Sequence, residues 1–253
     1  MSGRAVFLHG FTGRGQSWRP VLQHLPADLE AWCPDVYGHD PGAPLPSGSD
    51  FDAEIERLTR GLDERAWDRA LLVGYSMGAR IALGLLHRHP ERFRGAVLIG
   101  GNPGLDDPSA RQQRAAADEA LARRLERDGI AAFVDHWQKL PLFASQARLP
   151  EAVLEEQRAT RLAHRADHLA AALRVLGLAQ MPPDLRDLER LDLPVSLMVG
   201  ERDAKFRAIA EQMLKRLPRG SLRPIPGAGH NLTIEAPREV AAAVLDLLQK
   251  TLD

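Results

Sequence analysis

One cysteine is all that this chain of 253 residues contains. Cys33 has no partner for an internal disulfide, which suits a reducing compartment and a buried thiol. Charge of one sign is lacking too. Lys and Arg number 33 against 34 Asp and Glu, so no overall field recruits nucleic acid or an anionic membrane surface, and only local positive pockets are left open. No apolar run reaches the length of a membrane span, and residues 4 to 8 already read as a strand, leaving no room there for a leader. A cytoplasmic protein with no membrane span is expected. Internal repeats are missing, and the one compositionally biased stretch is the Pro- and Gly-rich loop at 41 to 49. What is present is 44% apolar residues, enough for a sizeable core, in a length that suits one α/β domain with an insertion.

The chain is organised around ALLVGYSMGAR, residues 70 to 80. Ala70 to Val73 form an apolar run short enough for a buried parallel strand, and Gly74 to Gly78 then spell G-x-S-x-G before a helical pattern begins. This is the context of a nucleophile elbow, where a serine sits at the tip of a strained strand-to-helix turn and flanking glycines avoid collision with neighbouring backbone. Ala5 to Leu8 read as an earlier strand ending in HGFTG, and Ala31 to Val36 as the next; Ser17 is placed to cap a short helix through about Leu25. Ile55, Leu58 and Leu62 put an apolar face on a helix over 52 to 64. After the elbow helix, Gly95 to Gly100 read as a buried strand, and strands return at Val195 to Val199 and Leu222 to Ile225, with a helix between them over about 204 to 217. Such alternation implies a parallel sheet of about six strands. Between 102 and 191 the pattern is helical throughout. Pro108 and Gly129 bracket one helix, with others over 130 to 140, 150 to 164 and 166 to 176. The expected organisation is a core of residues 1 to 103 and 186 to 253, with 104 to 185 inserted as a helical lid.

Ser76, Asp203 and His230 each follow the carboxyl end of an expected strand, where open α/β sheets place their sites. A serine hydroxyl becomes a useful base or nucleophile when an imidazole takes its proton, and a carboxylate fixes the imidazole tautomer. Taken singly, Asp203 also reads as a helix N-cap and His230 as a turn residue. His9 and His39 lie in loops before the elbow and do not fit the order Ser, Asp, His, so a structural or site-lining role is expected for them. Arg80 reads either as a solvated helix residue or as a fork for a substrate carboxylate. Arg111, Arg114, Arg158 and Arg161 read by pattern as a solvated face, and Trp137 and Phe143 as core.

With FLHGFTG (7 to 13), GYSMGAR (74 to 80), NPGL (102 to 105), PLFAS (141 to 145), GERDAKFRAIA (200 to 210) and GAGHN (227 to 231), the chain resembles the α/β-hydrolase superfamily over nearly its full length. Within it, the chain is similar to the 2-succinyl-6-hydroxy-2,4-cyclohexadiene-1-carboxylate synthases of the menaquinone pathway. The resemblance implies an α/β-hydrolase fold and a lyase that eliminates pyruvate from a small polycarboxylate substrate, with no metal and no organic cofactor. By the same resemblance Ser76, Asp203 and His230 match the triad, and the backbone N–H groups of Phe11 and Met77 match the oxyanion hole. Tyr75, Arg80, Arg114, Trp137, Arg158 and Lys205 match positions that hold the substrate. Ala79 stands where many relatives have glycine, and the usual strands ahead of FLHG are expected to be largely missing. The alternatives are an ester, thioester or carbon-carbon bond hydrolase using the same triad, and a non-catalytic receptor using the pocket alone. A homo-oligomer is left open.

Overall fold

Six parallel strands form one sheet in the order β2-β1-β3-β4-β5-β6. They are β1 (Arg4–Leu8), β2 (Glu30–Trp32), β3 (Ala70–Tyr75), β4 (Phe93–Ile99), β5 (Val195–Gly200) and β6 (Gly220–Ile225), in a computed structural model that describes residues 3–251. β3 and β5 are buried at every position, as continuous apolar runs covered on both faces should be. β2 stops short of the expected Val36. Pro34 has no N–H for the ladder, and the carbonyl of Cys33 turns instead against Gly15. Pro224 is tolerated in β6 because that strand is an edge.

The chain passes from β1 to β2 through α1 (Arg19–Leu22), then crosses back over β1 through α2 (Phe51–Glu64) to β3. The expected helix through Leu25 is thus shorter, a 3-10 turn at Gly15–Trp18 followed by one turn of α1. Connections leave β1 and β3 toward opposite sides of the sheet, which opens a crevice between the carboxyl ends of those strands. One face is covered by α2, α3 (Met77–Arg88) and α7 (Ala204–Leu214), with Ile55, Leu58, Ile81 and Leu85 against Leu72 and Leu98. The other is covered by α1 and α9 (Pro237–Thr251), with Val240, Val244 and Leu247 against Leu71, Val73 and Val97. α3 closes on His87 and Arg88, and the charge of Arg88 complements the helix dipole before Pro90 prevents continuation.

Between β4 and β5 the chain is helical, and none of residues 104 to 185 joins the sheet. α4 (Pro108–Trp137) is interrupted at Gly129, whose φ of 76° and ψ of 172° split it into two helices joined end to end. The two helices expected on either side of Gly129 are therefore present. A run of 3-10 turns at Pro141–Arg148 follows, then α5 (Glu151–Leu162) and α6 (Ala166–Leu176). This segment has a small core of its own, where Ala122, Leu125 and Phe133 of α4 meet Leu169 and Ala170 of α6, with Phe11 of the core packed against it. Among the described residues, no helix is long and apolar enough to cross a membrane.

Candidate active site

The elbow is built by close approach. A Cβ on Gly74 would lie 2.6 Å from the Gly78 carbonyl oxygen, and one on Gly78 would lie 2.1 Å from that of Leu8, so neither position accepts a side chain without moving backbone. Ala79 is a regular, buried residue of α3. Ser76 takes φ 52° and ψ −107°, a strained region for a residue with a Cβ, and its N–H is held by the Ile99 carbonyl of β4 at 2.8 Å. The strain turns the hydroxyl toward the crevice.

His230 Nε2 lies 3.1 Å from Ser76 Oγ, and His230 Nδ1–H donates to Asp203 Oδ2 at 2.6 Å. Asp203 serves both readings open to it from sequence, because its other oxygen caps α7 by accepting the Phe206 N–H at 3.3 Å. The imidazole is also gripped by rings, with the Phe206 centroid at 4.4 Å and the Tyr75 centroid at 5.4 Å. Glu235 adds a support that sequence reading missed. Its fully buried carboxylate accepts the N–H groups of Gly229 at 2.8 Å and Asn231 at 3.1 Å, the two neighbours of His230. Glu235 closes the short helix α8 (Leu232–Glu235), so the available signal was an acid one turn past a loop whose free N–H groups need acceptors. Arg148, from the 3-10 run of the insertion, binds the Gly227 carbonyl and lies 3.6 Å from Glu235.

Phe11 and Met77 both line the cavity above Ser76, and among the described residues no backbone acceptor takes up either N–H. Both residues share the wall of that cavity with Ser76. The cavity, about 700 Å³, is also lined by Tyr75, Arg80, Arg114, Trp137 and Lys205. Arg80 is 9% exposed; it donates to the Leu176 carbonyl at 2.7 Å and forms no ion pair among the described residues. Burial first, and the neighbouring charge of Arg114 second, pull it down to about 9, with Asp118 opposing them. It remains a cation at neutral pH, desolvated and short of an anion. Arg114 Nε donates to Asp118 Oδ1 at 2.8 Å, while Asp118 Oδ2 is buried with no hydrogen-bond partner among the described residues. Burial raises the Tyr75 phenol far above its ordinary value, so it stays a neutral donor.

Arg158 is a correction. Its guanidinium turns away to Asp135 at 2.6 Å and Gln138 at 3.4 Å, and it is absent from the cavity wall. Arg161, three residues on, takes the buried place: 4% exposed, with its guanidinium carbon 5.1 Å from the Phe143 ring centroid and no carboxylate paired with it among the described residues. Burial lowers it to about 10. It lines a smaller cavity of about 190 Å³ that shares Phe11, Tyr75 and Phe143 with the larger one. Positions 158 and 161 differ by less than a turn of α5, and only tertiary packing separates the solvated residue from the buried one. Among the described residues, no group of three His, Cys, Asp or Glu side chains is arranged to hold a metal ion.

The sequence pattern of the alpha/beta hydrolase family matches residues 5–243, nearly the whole chain. The chain belongs to the alpha/beta hydrolase family. Among its members, the 2-succinyl-6-hydroxy-2,4-cyclohexadiene-1-carboxylate synthase of Klebsiella pneumoniae (strain ATCC 700721 / MGH 78578) is 35% identical over 96% of this chain and 92% of its own length. The enzyme of that name from Salmonella paratyphi B is 34% identical over 98% of this chain and 92% of its own. The solved structure of MenH from S. aureus superposes with a TM-score of 0.93 at 30% identity, covering 99% of this chain and 95% of that one. A thermophilic esterase from Thermogutta terrifontis, solved with malate bound, reaches a TM-score of 0.86 at 25% identity over 99% and 91%.

This alpha/beta hydrolase carries its rival histidines as buried, neutral groups. His9 Nδ1–H donates to the Gly10 carbonyl at 2.9 Å and its Nε2 accepts the Val36 N–H at 3.1 Å, so both ring nitrogens are used and neither reaches Ser76. Burial pulls His9 from 6.5 down to about 4, and lowers His39 and His164 as well. The unfolded chain takes up these protons near 6.5, whereas the folded chain refuses them to a lower pH. Their contribution to stability is therefore complete above about pH 6.5 and is lost as pH falls toward about 4. By about pH 5, His9 alone should remove about 2 kcal/mol. Urea midpoints measured at about pH 7.5 and about pH 5 check this, and equal midpoints would show that the protons enter without cost.

Proposed function

We propose that the chain is a lyase of the menaquinone pathway that eliminates pyruvate from 2-succinyl-5-enolpyruvyl-6-hydroxy-3-cyclohexene-1-carboxylate to give 2-succinyl-6-hydroxy-2,4-cyclohexadiene-1-carboxylate. The names of its relatives support the reaction. The observation that carries the reading is a hydrogen-bonded Ser76-His230-Asp203 array facing a cavity in which Arg80 is buried and, among the described residues, forms no ion pair.

In this reading the Ser76-His230 pair takes a proton from the carbon beside the succinyl carbonyl. The electron pair of that carbon-hydrogen bond forms a new ring double bond, the existing ring double bond shifts, the carbon-oxygen bond to the enolpyruvyl group breaks, and enolpyruvate leaves and takes up a proton to become pyruvate. Negative charge that develops on the carbonyl oxygen is met by the N–H groups of Phe11 and Met77. Arg80, Arg114 and Lys205 hold substrate carboxylates; Tyr75 and Trp137 shape the pocket. The reaction uses no metal or organic cofactor and belongs in the cytoplasm.

The same array serves ester hydrolysis, and the likeness to the Thermogutta terrifontis esterase keeps that as the second reading. A coupled assay separates them: purified protein with the enolpyruvyl substrate should release pyruvate, followed as NADH oxidation by added lactate dehydrogenase. Hydrolysis of a simple aryl ester without pyruvate release would establish the second reading instead.

A further inference from the structure

Thr12, next to the oxyanion donor Phe11, is 3% exposed and sits at φ 65°, a conformation that a residue with a Cβ adopts only under constraint. The constraint is visible on both of its backbone polar groups. Its N–H donates to His39 Nε2 at 3.3 Å, and its carbonyl accepts from His164 Nε2 at 3.2 Å. The first histidine comes from the loop after β2 and the second from the insertion, between α5 and α6. Their tautomers must be opposite. His39 Nδ1–H donates to the Tyr37 carbonyl at 3.0 Å, leaving a lone pair on Nε2 for Thr12, whereas His164 must carry its proton on Nε2. The rings also meet, His39 lying 5.4 Å from His164 and presenting an edge contact to Phe11 at 5.6 Å.

We propose that His39 and His164 are positioning residues that grip Thr12 from opposite sides and thereby aim the Phe11 N–H at the developing oxyanion, so that the helical insertion helps to set the oxyanion site of the core. The inference rests on the reading of Phe11 as an oxyanion donor. Neither histidine lines the main cavity, so neither competes with the arginines for the substrate's carboxylates. Losing the grip loosens a donor that matters most when charge develops, and leaves ground-state binding in place.

A pair of substitutions at each site gives the test. Glutamine can offer a carbonyl oxygen in place of His39 Nε2 and an amide N–H in place of His164 Nε2, while phenylalanine keeps a ring and offers neither. His39→Phe and His164→Phe should each lower kcat for pyruvate release by roughly tenfold to a hundredfold, part of the loss expected for deleting an oxyanion donor, with KM changed by less than about threefold. The two glutamine variants should stay within about fivefold of the parent.

A readout independent of the lyase reaction is the rate at which a fluorophosphonate labels Ser76, followed by intact mass. There the Ser76 Oγ–phosphorus bond forms, fluoride leaves, the serine proton passes to His230, and the phosphoryl oxygen occupies the oxyanion site. Labelling should slow in the phenylalanine variants and recover with glutamine. Normal labelling in all four folded variants, or slow labelling that glutamine does not restore, overturns the proposal. A parent that labels readily but releases no pyruvate counts against the lyase reading alone. Should His39→Phe fail to fold, His164→Phe decides the matter from the insertion's side.

Discussion

Ser76→Ala should lower pyruvate release by roughly three orders of magnitude or more, with affinity for product little changed. The hydroxyl is hydrogen-bonded to His230, and in the proposed reaction it acts with the Phe11 and Met77 N–H groups, so its loss removes a role in the transition state. The cations that would hold the ground state sit elsewhere on the cavity wall. Asp203→Asn should be severe for a different reason. An amide facing His230 Nδ1 favours the tautomer with its proton on Nε2, which can no longer accept from Ser76. Asparagine can still cap α7, so thermal stability should fall much less than activity. Steady-state kinetics with calorimetric binding of product checks both, and near-normal turnover in Ser76→Ala would show the serine to be a bystander.

Arg80→Lys and Arg114→Ala should each reduce kcat/KM on the polycarboxylate about tenfold to a hundredfold, while weak hydrolysis of a neutral aryl ester changes little. Lysine at 80 keeps the charge but loses the planar fork. Alanine at 114 has a second consequence, because Asp118 is buried and would be left without its ion pair. The double variant Arg114→Ala/Asp118→Asn removes that stranded charge. A loss that persists in the double variant belongs to substrate binding, and one that disappears belongs to Asp118. Equal losses on both substrates would assign the arginines to the architecture of the elbow.

The strands, the strand-to-helix turn at Ser76 and the loops that carry Asp203 and His230 were legible because each depends on local pattern: apolar runs, close-packed glycines, and loops that follow strands. The limits of β2 were not, since Pro34 ended a ladder that hydrophobicity alone would have extended. Arg158 and Arg161 show the same boundary inside the site. Both are arginines on one helix, and the docking of that helix decides that one faces Asp135 while the other is buried near Tyr75. Glu235 escaped notice because its task is set by two N–H groups of a folded loop. His164 was equally silent, since its partner Thr12 lies 152 residues away.

In the proposed mechanism, the left-handed backbone at Ser76 makes catalysis and durability rival ends of selection. Among the described residues, three non-glycine residues hold positive φ, namely Thr12, Ala66 and Ser76; Ser76 lines the larger cavity and Thr12 the smaller one. Each strained residue of this kind carries a cost on the order of 1–3 kcal/mol that glycine would relieve. A laboratory lineage chosen for heat resistance alone would gain at all three positions, and at Ser76 it would gain by discarding the hydroxyl. Ala66, in the turn between α2 and β3, can be relaxed without touching the cavity. For the proposed reaction, the strain at Ser76 is one that the fold must keep.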